Sequence, residues 1–208
     1  MVRAWVADVS PLESPECYRK YYEQLPDFRK AKADALKSDL MKAQSVGVWI
    51  LWEKIREKYG LPGNAVFNLS HSGTYVMCAA EMDELAARVG CDLEKIGPFK
   101  EKVAGRFFCP EEYEVIMQER TEEEKAEQFY RFWVLKESFM KATGMGMALP
   151  INSFCIRLDN PPLLVRRPQE FAEPYYYMEY RDKAIPCRMA VCSTDCEIDA
   201  GLSMEFKL

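Results

Sequence analysis

The spacing of apolar and polar positions changes period several times along the chain. Val2 to Val9 alternates with β-branched residues and closes at Ser10-Pro11, which predicts an opening strand. From Pro15 to Tyr59 apolar residues recur at helical spacing, in pieces expected to break near Pro26 and near Gly47. Tyr59-Gly60-Leu61-Pro62-Gly63-Asn64 is a turn. Ala65 to Leu69 and Thr74 to Ala80 read as two strands around a polar corner, Ser70-His71-Ser72-Gly73. Arg88 to Ile96 reads as another strand.

The order then recurs. A basic helix is expected over Lys100 to Phe108, and Cys109-Pro110-Glu111-Glu112 opens another, with proline first and acids in the first turn. Thr121 and Glu124 form a capping box for a long helix that ends at Gly144. Ile151 to Leu158, Tyr175 to Tyr180 and Met189 to Thr194 follow as strands. The pattern predicts a pseudo-duplicated α+β protein, an N-terminal half over 1–88 and a C-terminal half over 89–208, with the site at their interface.

Composition narrows the function classes. Apolar residues make up 49% of the 208 and charged residues 29%, enough for a real core. The longest apolar stretch, Val46 to Trp52, is far short of the ~20 residues of a membrane helix. Asp8 interrupts what an export signal would keep apolar, so a cytoplasmic protein is expected. A net charge of −5 argues against nucleic acid as partner, though not against an anionic small ligand in a local basic pocket. The eight cysteines show no C-x-x-C pair. The loose group Cys187, Cys192 and Cys196 has no histidine near it and reads as ordinary thiols.

Three segments carry chemistry. On a helix, Trp133, Glu137 and Lys141 share one face, and the charged pair lies beside Trp133 and Met140. Charges flanked by bulky apolar groups suit a pocket wall as well as an ordinary exposed pair. In Gly90-Cys91-Asp92-Leu93-Glu94, strand alternation puts Asp92 and Glu94 on one face, where a cation would relieve their repulsion. Oxygen ligands of this kind suit Mg²⁺ together with substrate phosphates. His71 is the only histidine. It lies between Ser70 and Ser72 and before Gly73, a grouping of hydroxyls, backbone N–H and imidazole that can cradle phosphate. No nucleophile elbow accompanies it.

Together these segments resemble the Sfp-type 4′-phosphopantetheinyl transferases. That family carries N-[LIV]-S-H-S, G-[IVC]-D-[ILV]-E and W-x-x-K-E-[SA]-x-x-K-x-x-G-x-G blocks in this order. They are filled here by Asn68 to Ser72, Gly90 to Glu94 and Trp133 to Gly146, and Arg106 to Tyr113 matches the family's R-F-F-x-x-x-E-[YF] segment. The resemblance covers Tyr59 to Leu158 closely and the rest in layout.

The resemblance implies transfer of the 4′-phosphopantetheine group of coenzyme A to a serine of an apo acyl or peptidyl carrier protein, with release of 3′,5′-ADP. Asp92, Glu94 and Glu137 would hold Mg²⁺, with Glu137, directly or through water, as base. Lys141 would bind the phosphate under attack. Ser70 and His71 would contact coenzyme A phosphates, and the turn containing Tyr59 and Gly60 would lie near the nucleotide. Lys30 and Lys42 best match the basic residues for the 3′-phosphate. Leu61 stands where the family often has a lysine. An internal duplication makes a monomer the default. The rival readings are a non-catalytic coenzyme A or carrier-binding module and another Mg²⁺-dependent phosphoryl enzyme.

Overall fold

The computed structural model describes residues 1–83 and 87–208. In chain order the elements are β1 (Val2–Asp8), α1 (Pro15–Tyr22), α2 (Asp27–Asp34), α3 (Asp39–Tyr59), β2 (Phe67–Ser72), β3 (Tyr75–Glu81) and β4 (Val89–Lys95). They continue with α4 (Glu101–Phe107), α5 (Pro110–Met117), α6 (Glu122–Ala142), β5 (Cys155–Arg157), β6 (Leu163–Arg166), β7 (Tyr176–Tyr180), β8 (Cys187–Ser193) and β9 (Ile198–Ser203). The class is α+β, as the pattern predicts.

One sheet runs β2-β3-β1-β9, a second β4-β8-β7, and β5 pairs with β6 in a small ribbon. The strands of the first sheet feed two cores. Trp5 and Ala7 of β1, with Val76 and Cys78 of β3, face α3 and pack on Leu51, Trp52 and Ile55. Ala4, Val6, Met77 and Ala79 face the other way, onto Val89, Cys91, Leu93, Met189 and Val191 of the second sheet. Period-2 alternation thus divides each strand between two interiors, which is why β1 and β3 carry so few polar residues. The far face of the second sheet packs on α6 through Leu135, Phe139, Tyr177, Ala190 and Cys192. The layers run helix, sheet, sheet, helix, and α3 and α6 are each 21 residues long.

Several elements differ from the sequence pattern. α3 passes through Gly47 without a break. A Cβ there would lie 2.4 Å from Val9 Cγ1, so the glycine lets the helix approach the end of β1. The strand expected over Ile151 to Leu158 is confined to Cys155–Arg157, while β6 and β9 have no counterpart in the expected list. β9 returns from the C-terminus to pair in parallel with β1. The polar corner is also part of a strand: β2 continues through Ser70, His71 and Ser72, and the chain reverses at Gly73, whose φ of 58° only glycine adopts freely. Among the described residues no helix is long and apolar enough to cross a membrane.

Candidate active site

β2 is an edge of the first sheet and β4 an edge of the second, and the two strands are joined through side chains. Asn68 Oδ1 accepts from Cys91 N–H at 3.1 Å, Ser70 Oγ from Leu93 N–H at 3.3 Å and Ser72 Oγ from Lys95 N–H at 3.1 Å. Alternate residues of β2 therefore satisfy alternate amides of β4, in place of a backbone ladder. The serine hydroxyls then donate onward, Ser70 to Asp92 Oδ1 at 2.8 Å and Ser72 to Glu94 Oε2 at 2.7 Å. Ser70-His71-Ser72 stays in strand conformation by pairing with Met77, Val76 and Tyr75 of β3, and this double use satisfies its serine hydroxyls.

α6 closes the site from the other side. Gly90 permits this: a Cβ there would lie 2.0 Å from Ser138 O and 2.4 Å from Ala142 N, so only glycine lets the helix backbone rest on β4. The close approach brings Lys141 Nζ to Asp92 Oδ1 at 2.8 Å, Ser70 Oγ at 3.0 Å and Cys91 O at 3.1 Å. Although burial opposes its charge, Asp92 and the surrounding acceptors raise the Lys141 pKa, so the ammonium stays protonated at neutral pH. Glu137, one turn earlier, has no hydrogen-bond donor among the described residues. Burial raises its pKa, Asp92 and Glu94 raise it further, and Lys141 offsets part of this. Glu94 is raised likewise, first by burial, and Lys100 at the start of α4 acts against the shift.

Three carboxylates thus repel one another in a partly dry cleft with one lysine among them. Asp92 Oδ2 is buried and has no hydrogen-bond partner, an expensive state for a carboxylate oxygen. A hard cation bridging Asp92, Glu94 and Glu137 would satisfy that oxygen and relieve the repulsion, so the donor set fits Mg²⁺. Among the described residues, the Cys/Asp/Glu set whose ligand atoms all lie within 4.8 Å of one another is a different one, Cys109, Glu111 and Cys155.

His71 lies in electrostatic reach of Lys141, Lys32 and Asp92. Desolvation by the surrounding protein lowers its pKa, Lys141 and Lys32 lower it further, and Asp92 opposes them. Lys32 is thus a basic residue of α2 that acts on His71. Lys30, two positions away and on another helix face, lies 5.9 Å from the Tyr22 ring centroid. Gln44 Nε2 donates to Gly73 O at 2.7 Å, which anchors the start of α3 beside the β2–β3 turn. Lys42 belongs to that same end and lines a groove of about 570 Å³ with Tyr18, Tyr22 and Asp39.

Tyr59 and Gly60 belong to the other end of α3. They close the opposite end of α3, roughly 22 Å from Gln44 at 1.5 Å per residue. Tyr59 OH donates to Glu205 Oε1 at 2.7 Å, and Glu205 also accepts from Lys58 and from Trp5 Nε1. These contacts hold Glu205 down to a pKa of about 2, Lys58 first and Tyr59 next. The turn serves as a clasp for the C-terminal segment, because its aromatic and basic residues are taken up there.

Sequence reasoning missed a further pair. Lys136 and Glu112 are fully buried, with Lys136 Nζ at 2.8 Å from both Glu112 oxygens and 2.9 Å from Phe154 O. Glu112 also accepts from Cys109 N–H and Ile156 N–H. The pair ties α5 and β5 to α6 one residue before Glu137. Both residues belong to recognised blocks, and only their distance from each other in sequence hid the contact.

Comparison with known proteins identifies the family. A family model described as the 4′-phosphopantetheinyl transferase superfamily matches residues 88–188. The 4′-phosphopantetheinyl transferase Sfp of Bacillus subtilis is 30% identical over 94% of this chain and 87% of its own length. The transferase psf-1 of Bacillus pumilus is 30% identical over 92% and 90%. A solved structure, the holo-[acyl-carrier-protein] synthase of Thermotoga maritima, aligns over 50% of this chain and 61% of its own, with 21% identity and a TM-score of 0.43. The chain belongs to the 4′-phosphopantetheinyl transferase superfamily and is an enzyme of that class.

Proposed function

We propose that this enzyme transfers the 4′-phosphopantetheine group of coenzyme A to a serine of an apo acyl or peptidyl carrier protein, in a Mg²⁺-dependent reaction that releases 3′,5′-ADP. The observation that carries the reading is the Asp92–Lys141 pair, which leaves Asp92 Oδ2 buried and unpartnered between two further carboxylates.

Asp92, Glu94 and Glu137 would hold the ion, which supplies charge neutralisation at the diphosphate. Lys141 binds a non-bridging oxygen of the phosphate under attack and stabilises charge that builds there. Glu137, whose pKa burial and neighbouring acids raise, takes the proton of the incoming serine hydroxyl, directly or through water. The nucleophile comes from the partner, so no nucleophile of the chain itself is required. His71, Lys32 and Lys42 form the basic edge for the coenzyme A phosphates. Ser70 acts there by holding Asp92 and Lys141.

The acidic helix that such carriers present would meet exposed Lys102 and Arg106 of α4, beside Lys100, because a chain of net charge −5 needs a local basic patch to recruit it. The enzyme is proposed to work as a cytoplasmic monomer, its halves over 1–88 and 89–208 meeting at the site.

Incubation with coenzyme A, Mg²⁺ and an apo carrier should add the mass of phosphopantetheine to the carrier. The Asp92→Asn variant should remain folded by circular dichroism and add none. Full transfer in that variant, or in the presence of a strong chelator, would overturn the reading. A reversed-charge Lys102→Glu/Arg106→Glu variant should raise KM for the carrier and leave that for coenzyme A unchanged.

A further inference from the structure

Cys109 is the N-cap residue of α5, Glu111 lies in its first turn, and Cys155 opens β5. Both cysteines are buried, at 1% and 3% exposure, whereas the Glu111 side chain reaches solvent. Their two sulfurs and a Glu111 oxygen all lie within 4.8 Å of one another, with Cys155 Sγ 4.0 Å from Glu111 Oε2. Arg166, the register partner of Cys155 across β5–β6, covers this group. Its Nη2 lies 3.0 Å from Cys109 Sγ and its Nη1 3.5 Å from Glu111 Oε1.

The Cys109 thiol donates to Phe154 O at 2.9 Å and accepts weakly from Arg166, and the same guanidinium is a good outer-shell donor once the sulfur is a thiolate. We propose that Cys109, Cys155 and Glu111 form a second cation site, separate from the carboxylate cleft, that takes a thiophilic divalent ion of the zinc class.

Ligand atoms in a tetrahedral shell at ~2.0–2.3 Å from zinc lie roughly 3.3–3.8 Å apart, so shifts below ~1 Å close the set. Two thiolates and a carboxylate carry three negative charges, which a divalent ion and Arg166 together neutralise. Water fills the fourth position. On binding, two S–H bonds break, two metal–sulfur bonds form, and both protons leave to solvent. Mg²⁺ would not compete, because it requires oxygen ligands in octahedral geometry.

The ion would fasten the start of α5 to the β5–β6 ribbon. That junction also holds Glu112, which grips Lys136 beside Glu137. The two cysteines are far apart in sequence, so ligand spacing could not reveal the set.

The purified full-length chain, reduced and stripped of metal, should be titrated with Co²⁺ as the probe. One equivalent should give a thiolate-to-metal charge-transfer band that Zn²⁺ removes and excess Mg²⁺ does not. Cys17→Ser/Cys196→Ser, at the two cysteines that are not buried, should retain the band, and Cys109→Ser/Cys155→Ser should lose it. Glu111→Gln and Arg166→Ala alter exposed side chains, keep the fold and should each weaken binding about tenfold. No band in the parent chain, a band that follows Cys17 and Cys196, or undiminished affinity in Glu111→Gln would each overturn the proposal.

Discussion

The Ser72 hydroxyl accepts from Lys95 N–H at 3.1 Å and donates to Glu94 Oε2 at 2.7 Å, so one side chain both joins the two sheets and aims a carboxylate. Ser72→Ala removes both functions. The concentration of Mg²⁺ for half-maximal transfer should rise about 10- to 150-fold, as expected from losing ~1.5–3 kcal/mol at a charged acceptor. Ser72→Thr should restore most of it. A Mg²⁺ titration in which alanine and threonine behave alike would show that the hydroxyl does not position Glu94.

Gly90→Ala places a methyl group 2.0 Å from Ser138 O. Neither backbone can yield easily, because β4 is fixed by β8 and α6 by the Phe139 cluster. A loss of ~1–3 kcal/mol in unfolding free energy by chemical denaturation is expected, with activity falling further than stability as Lys141 moves away from Asp92. Wild-type kcat in a folded Gly90→Ala protein would contradict this packing account.

His71 provides a single imidazole signal by proton NMR. In the free protein it should titrate below its ordinary value of about 6.5, since desolvation, Lys141 and Lys32 all oppose the imidazolium. A bound phosphate favours the charged ring, so saturating coenzyme A should raise that pKa. By linkage, coenzyme A should bind more tightly as pH falls through the titration range. His71→Ala should abolish this pH dependence. An unchanged pKa on adding coenzyme A would remove His71 from the phosphate site.

Lys136→Met leaves Glu112 buried without its cation and should cost about 3–5 kcal/mol by chemical denaturation. Lys136→Met/Glu112→Gln should recover much of that loss, because no charge then remains in the interior. If the double variant is as unstable as the single, hydrogen bonds to Phe154 O and Ile156 N–H matter more than charge.

The sequence alone determined the elements whose periodicity is strong and whose ends are capped. Thr121 and Glu124 cap α6 as the local pattern requires, because every atom involved lies within one turn. The shared faces of Asp92 with Glu94 and of Glu137 with Lys141 were legible for a similar reason, because strand and helix periods fix them. The tertiary structure decided what those faces meet. Gly47 reads as a break until Val9 is seen against it, and Gly90 reads as neutral until α6 is laid on β4. β9 is weakly apolar and becomes a strand by pairing with β1. Ser70-His71-Ser72 has the polarity of a turn, yet pairing with β3 keeps it extended while β4 amides and two carboxylates satisfy its serines. Lys32 acts on His71, and Tyr59 is drawn to Glu205, because helix orientation and the path of the C-terminus depend on contacts far apart in the chain.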